Sequence, residues 1–171
     1  MNLPPMDVYR QPFVVPMGHL AMRAAYADLE LIGLCAIAPF EGSDLQMKGT
    51  EVAARLRNWG PGTKEFVTER LTLIPDDNLR GQAMDAFGRF QHLRDQRHRI
   101  VHDAIEVGIF EEAGSYEVAA LHVQYIKSGK GRSERRLVRV SPDAIASLAC
   151  EYYELHKDLE TVVFGLRVRD A

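Results

Sequence analysis

A long apolar stripe that runs into a cluster of cationic residues is the feature that most constrains this chain. Apolar side chains recur three or four positions apart and predict one long helix from about Asn78 to Ala104, because that spacing places them on a single face. The stripe comprises Ala83, Ala86, Phe90, Leu93, Ile100 and Ala104, with Arg97 between the fourth and fifth members. An arginine in a buried register is costly unless it is paired or lines a cleft. We therefore expect the end of this helix to be a functional site or a tightly paired one.

The rest of the pattern predicts a mainly α-helical protein. Apolar residues at helical spacing, bounded by proline, glycine and capping residues, indicate four further helices. We expect them at about 18–38, about 47–58, from a Thr63 N-cap to Pro75, and from Ser141-Pro142 to about Gly165. Asp76 or Asp77 can cap the long helix. The predicted architecture is a four- or five-helix bundle.

A β-hairpin is expected before the last helix, at about residues 116–140. Residues 116–125 and 135–140 alternate in the manner of strands, and Ser128-Gly129-Lys130-Gly131 between them has turn composition. Prolines punctuate the start of the chain, so residues 1–17 are predicted to be an extended segment. Residues 18–171 are predicted to form a single domain of ordinary size.

Composition places the chain among ordinary globular proteins. It has 171 residues, 46% of them hydrophobic, and a formal net charge of -3, so nucleic-acid contact would need a local basic patch. The two cysteines lie in apolar helical patterns, which favours buried reduced thiols. The N-terminus lacks signal-peptide features, and the apolar stretch 31–40 is too short to span a bilayer. We expect a cytoplasmic protein without a membrane partner.

The run Arg97-His98-Arg99-Ile100-Val101-His102, late in a long helix, resembles the motif of the HEPN superfamily. That family consists of compact all-α domains with an Arg-x(4–6)-His motif near the end of one helix, in which Asn, Asp or His usually follows the arginine. The resemblance rests on residues 94–103 and, more loosely, on the helix order over 18–166. The basic hairpin departs from the small members linked to nucleotidyltransferases, which leaves the subfamily open.

The resemblance implies a metal-independent endoribonuclease that works as a homodimer without a cofactor, in toxin, defence or RNA-processing roles. RNA and an antitoxin protein are the partners it implies. Other family members have lost activity, so the alternative is a HEPN-like module that binds RNA, nucleotides or a protein without cleaving. A purely structural helical dimer is a third hypothesis.

The residue types of the motif suit cleavage of RNA. The 2′-hydroxyl is a built-in nucleophile, so a base that removes its proton can replace a metal ion. We assign His102 as general base or acid, since imidazole titrates near neutral pH. Arg97 would hold the phosphate through its bidentate geometry, and His98 would orient the phosphate or His102. Alternatively, Arg97 pairs with Asp95 or Asp103 and both histidines are surface groups.

Several further residues are candidate substrate contacts. Arg94 and Arg99 add positive charge along the helix, with Arg89 before them, although pairing with Asp85 or Asp95 is an alternative. The hairpin carries a second basic cluster that could grip a phosphate backbone. Its members are Lys127, Lys130, Arg132, Arg135, Arg136 and Arg139. Alternatively, these basic residues form a solvent-exposed strand face, and their charges prevent aggregation through the strand edge.

Two other chemistries are weaker hypotheses. His98 and His102 are four residues apart, as in helical zinc sites, but Arg97 and Arg99 would repel a dication and no glutamate follows His98. The repulsion of a dication and the missing glutamate lead us to predict no metal site. A phosphate-binding P-loop is also a weak match, because Gly131 follows Lys130 where that motif needs Ser or Thr.

Overall fold

The computed structural model describes residues 8–102, 104–112, 115–127 and 133–168. Five α-helices and three β-strands make up this described part, so the protein is mainly helical, as the sequence predicts. The helices are α1 (Gln11–Ile37), α2 (Gly49–Leu56), α3 (Pro61–Thr72), α4 (Asp77–His102) and α5 (Pro142–Val168). The strands are β1 (Ala104–Glu112), β2 (Ser115–Lys127) and β3 (Ser133–Val140).

Helix α1 begins at Gln11, seven residues before the predicted start at Gly18. The prediction of an extended segment is therefore wrong for residues 11–17. Pro12 occupies the second helical position, where the missing N–H would have no partner within the helix in any case. Pro16 lies inside the helix and removes only one backbone hydrogen bond, and the long helix tolerates this loss. Residues 1–7 lie outside the described part of the chain.

The start of α3 differs from the prediction in its capping residue. Gly60 is the N-cap and Pro61 the first helical residue, so Thr63 is within the first turn and not at the cap. The Thr63 hydroxyl instead donates a hydrogen bond to the carbonyl oxygen of Asn58 at 2.8 Å. The residue therefore ties the α2–α3 connection to the start of α3.

The starts of α4 and α5 agree with the capping residues predicted from the sequence. The Leu79 N–H donates to the Asp76 carboxylate at 2.7 Å, which identifies Asp76 as the residue that caps α4. The Ala144 N–H donates to the Ser141 hydroxyl at 3.1 Å, and Pro142 is the first residue of α5. Both caps satisfy backbone N–H groups that have no partner inside their helices.

The three strands form one antiparallel sheet in the order β1-β2-β3. Strand β1 was not predicted, and it directly follows α4, which ends at His102 and not at Ala104. Strands β2 and β3 are each longer than their predicted counterparts, and Lys127 pairs with Ser133 at the end of their ladder. The predicted turn at 128–131 lies outside the described residues.

The chain divides into two compact units. The first contains residues 1–22 and 93–151, and the second contains residues 23–92 and 152–171. The prediction of one domain over residues 18–171 stays a prediction. The first unit includes the end of α4 and the sheet; the second includes α2 and α3.

Most of the core of the second unit is built by apolar residues from its helices. The buried side chains include Ala24, Ala27, Leu31 and Leu34 of α1, Val67 and Leu71 of α3, Phe90 of α4, and Tyr152, Leu155, Leu159 and Val162 of α5. Trp59 packs against Phe87 and Phe90, with ring centroids 6.3 and 5.4 Å apart. Most of these positions lie on α1 and α5.

One buried cation holds the end of α1 inside this core. The Arg70 side chain of α3 is 8% exposed, and its Nε donates to the Cys35 carbonyl at 2.8 Å. Its Nη2 donates to the Ala38 carbonyl. These carbonyls lie at the end of α1, where no further helical N–H can reach them. Burial lowers the pKa of Arg70, and the nearby Cys35 opposes that shift.

Candidate functional site

The predicted apolar stripe of α4 is buried up to the start of the motif. Ala83, Ala86, Phe90 and Leu93 are each at most 2% exposed. Arg97, the next position of the same face, is half-buried, and so is Ile100. The guanidinium of Arg97 therefore continues a buried stripe at a point where the helix face becomes accessible.

The basic residues around Arg97 differ in their exposure. Arg94 is half-buried, whereas His98 and Arg99 are exposed. Arg94, Arg97 and His98 each take part in an interaction with another group.

All residues of the motif lie on α4, which ends at His102. Residues four apart on a helix are neighbours on its surface, so positions 94, 98 and 102 form one row. The last turn of a helix carries a partial negative charge, and cations such as Arg99 are favourable there. The side chain of His102 lies outside the described part of the structure, so its assigned role stays a prediction.

The predicted hairpin contacts are only partly described. Lys130 and Arg132 lie outside the described residues. Arg135 is on β3 opposite Tyr125 of β2, but its side chain is outside the described part. Arg139 is opposite Leu121 on the same ladder and is exposed. The substrate-binding roles of the hairpin residues therefore stay predictions.

Sequence reasoning missed one histidine near the motif. His122 lies on β2 and pairs with Ala104, the first residue of β1. Ala104 follows His102 by two residues, so the backbone of His122 lies close to the end of the motif in the first unit. The alternation of residues 116–125 shows that a strand forms there, but the strand register with β1 is a long-range property that the sequence pattern does not reveal.

A groove of about 270 Å³ lies in the second unit between α4 and α5. It is lined by Gln82, Asp85, Ala86, Arg89, Asp158 and Thr161. Arg89 donates a hydrogen bond to the Asp158 carboxylate, so its charge is neutralised locally. The expectation that Arg89 adds unpaired positive charge to α4 is not supported, and its carboxylate partner is Asp158 rather than the suggested Asp85 or Asp95.

The described side chains and helices include neither a metal-binding cluster nor a membrane-spanning helix. No group of three or more His, Cys, Asp or Glu residues among them is placed to hold a metal ion. None of the helices in the described ranges is long and apolar enough to cross a membrane.

Comparison of the chain with protein-family models, with curated proteins and with solved structures finds no match.

Proposed function

We propose that the end of α4 is the active site of a metal-independent endoribonuclease of the HEPN type. The observation that carries the proposal is the placement of Arg97. It is half-buried, and it continues a row of four buried apolar residues. The exposed His98 follows it directly, and His102 occupies the last position of the helix. A positioned cation beside two imidazoles is what phosphate-ester cleavage by the 2′-hydroxyl requires.

The motif residues have distinct chemical roles in this proposal, and that of His98 is to orient the phosphate or His102. His102 removes the proton of the 2′-hydroxyl, and the resulting alkoxide attacks the adjacent phosphorus. Arg97 donates hydrogen bonds to the phosphate oxygens, on which negative charge accumulates in the transition state. The bond from phosphorus to the 5′-oxygen breaks, and a general acid protonates that oxygen as it leaves. The products are a 2′,3′-cyclic phosphate and a free 5′-hydroxyl.

The second proton transfer is the one to the leaving 5′-oxygen. It needs either a second titratable group or a protonated His102 that donates the proton it took from the 2′-hydroxyl. His122 is a candidate within the same unit, because its backbone pairs with Ala104 two residues beyond the motif; its side chain lies outside the described part of the structure. If two imidazoles share the work, one must be neutral and the other protonated, which produces a bell-shaped dependence of kcat/KM on pH. We propose His122 as this second group.

The test is cleavage of a mixed RNA pool by the wild-type protein and single variants. His102→Ala and Arg97→Ala should each lower the cleavage rate by about 10²-fold or more. His92→Ala is the matched control, because His92 is an exposed histidine on the same helix, ten residues before His102. It should cleave at the wild-type rate. Circular dichroism and thermal unfolding establish that each variant is folded.

Three outcomes would contradict the proposal. Full activity of a folded His102→Ala protein removes His102 from the mechanism. Full activity of a folded Arg97→Ala protein excludes the proposed contact between Arg97 and the phosphate. If the alanine variant does not fold, Arg97→Lys provides a second test of that contact. RNA binding without cleavage by the wild type supports the non-catalytic binding module instead. For His122, the variant His122→Ala should lose one limb of the pH profile, and an unchanged profile would exclude it.

A further inference from the structure

The groove between α4 and α5 carries one negative charge that no residue of its lining neutralises. Its charged lining residues are Asp85, Arg89 and Asp158. Arg89 lies one helical turn after Asp85, so spacing alone allows the two to pair. Arg89 donates instead to Asp158 on the other helix. Among the residues that the structure describes, no cation forms an ion pair with Asp85.

The shape of the groove follows from the packing of the two helices. A Cβ atom on Gly165 would lie 2.9 Å from the Leu79 side chain, so α4 and α5 touch closely at that point. Gln82 and Thr161 are one turn away along their helices, and both line the groove. Ala86 also lines it, and its methyl group leaves most of the space unfilled. The volume of about 270 Å³ is below the range of about 300–1,000 Å³ that is typical of pockets for drug-sized molecules, so a ligand here is small.

The polar atoms of the lining suit a positively charged ligand. The Thr161 hydroxyl donates to the Lys157 carbonyl oxygen at 2.9 Å, so towards a ligand its oxygen acts as an acceptor. The ionised Asp85 carboxylate has only acceptors. Asp158 has a second carboxylate oxygen besides Oδ2, the one that Arg89 contacts. A ligand that carries N–H donors and a positive charge therefore complements this lining.

We propose that the groove binds a small organic cation, whose ammonium or guanidinium head donates hydrogen bonds to Asp85 and whose alkyl stem lies over Ala86. Asp85 is exposed, and an ion pair that water reaches contributes little free energy. We therefore expect a dissociation constant of about 10⁻³ M, which increases with ionic strength. The inference does not depend on the proposed ribonuclease function, because binding is measured without RNA.

The first test is an NMR titration of the labelled protein with butylammonium and butylguanidinium, with butyrate as the ion of opposite charge. Both cations should shift the amide resonances of residues 82–89 and 158–161, whereas butyrate should leave them unchanged. Asp85→Asn keeps the shape of the side chain without its charge and should weaken binding by about 5-fold or more. Asp44→Asn is the matched control, since Asp44 is an exposed aspartate of the same unit outside the groove. It should bind the cations as the wild type does.

A variant of Arg89 separates a cation site from an anion site. Arg89→Met removes the guanidinium that neutralises Asp158, so the groove gains a second carboxylate without a cation. Cations should then bind about 5-fold more tightly, whereas an anion held by Arg89 would no longer bind. Absence of binding by both cations, unchanged affinity in Asp85→Asn, or weaker cation binding in Arg89→Met would overturn the proposal. Circular dichroism establishes that each variant is folded.

Two sources can supply such a cationic head: a free polyamine, and an arginine side chain of another molecule. Putrescine and acetyl-arginine-amide represent these sources, and the same titration ranks their affinities. Tighter binding of putrescine assigns a free amine to the groove, and tighter binding of the arginine derivative assigns a side chain. If neither compound shifts the resonances of residues 82–89 and 158–161, the proposal is wrong.

Discussion

Replacing Arg70 by methionine should destabilise the protein strongly although the substitution touches no candidate site residue. The guanidinium is 8% exposed and donates to the carbonyl oxygens of Cys35 and Ala38. Methionine retains much of the side-chain length but has no donor. Two buried carbonyls at the end of α1 would then lack partners.

The magnitude follows from those two hydrogen bonds. Leaving a buried acceptor unsatisfied costs about 1–3 kcal/mol, so two carbonyls set a range of about 2–6 kcal/mol. Removing the guanidinium also removes the cost of burying its charge, which offsets part of this loss. We expect the free energy of unfolding to fall by about 2–4 kcal/mol. Arg70→Lys should fall between the wild type and Arg70→Met, because an ammonium cannot reproduce the planar two-donor geometry.

Urea unfolding followed by circular dichroism measures this change. With a slope of about 2 kcal/mol per M, the midpoint should move down by about 1–2 M. Arg57→Met is the control, since Arg57 is exposed and should change stability by less than about 0.5 kcal/mol. A loss below about 1 kcal/mol in Arg70→Met would refute the view that this arginine holds the end of α1.

Two further predictions concern single groups. Asp76→Ala removes the acceptor of the Leu79 N–H at the start of α4 and should lower the free energy of unfolding by about 1 kcal/mol. Asp76→Asn retains an acceptor and should keep most of the wild-type stability. Equal stability of Asp76→Ala and the wild type in urea would contradict the role of Asp76 as the cap. Burial raises the pKa of the Cys35 thiol from 9.0 to about 12. The folded protein therefore retains this proton where the unfolded chain loses it, and stability should decline by about 1.4 kcal/mol per pH unit from about pH 9 upward. The decline should be shallower in Cys35→Ala, and identical slopes in the two proteins would rule out this thiol as its cause.

Much of the helical part of the fold could be predicted from local chemistry. The caps at Asp76 and Ser141 and the buried stripe of α4 are properties of short segments, and the sequence displays them directly. The predicted start of α1 is seven residues too late, because prolines disfavour most helical positions. Pro12 is compatible with a first turn, and the packing of a long apolar helix outweighs the one hydrogen bond lost at Pro16.

Strand β1 carries a local signal that competes with the helical stripe. Ile105, Val107 and Ile109 alternate with other residues, which is typical of a strand, whereas the stripe predicted for the long helix runs to Ala104. Other features could not be predicted because they depend on long-range contacts. The pairing of His122 with Ala104, the ion pair of Arg89 with Asp158, and the burial of Arg70 at the end of α1 belong to this class.

RNA cleavage in excess EDTA, with end-group analysis of the products, tests whether the end of α4 is a metal-free ribonuclease site. The wild type should cleave RNA under these conditions and leave 2′,3′-cyclic phosphate ends. A matched oligonucleotide with a 2′-deoxy sugar at the cleaved position should resist cleavage, and His102→Ala should be inactive on both. Cleavage of the 2′-deoxy substrate, loss of all activity in EDTA, or full activity of the folded His102→Ala protein would contradict a metal-free ribonuclease at the end of α4.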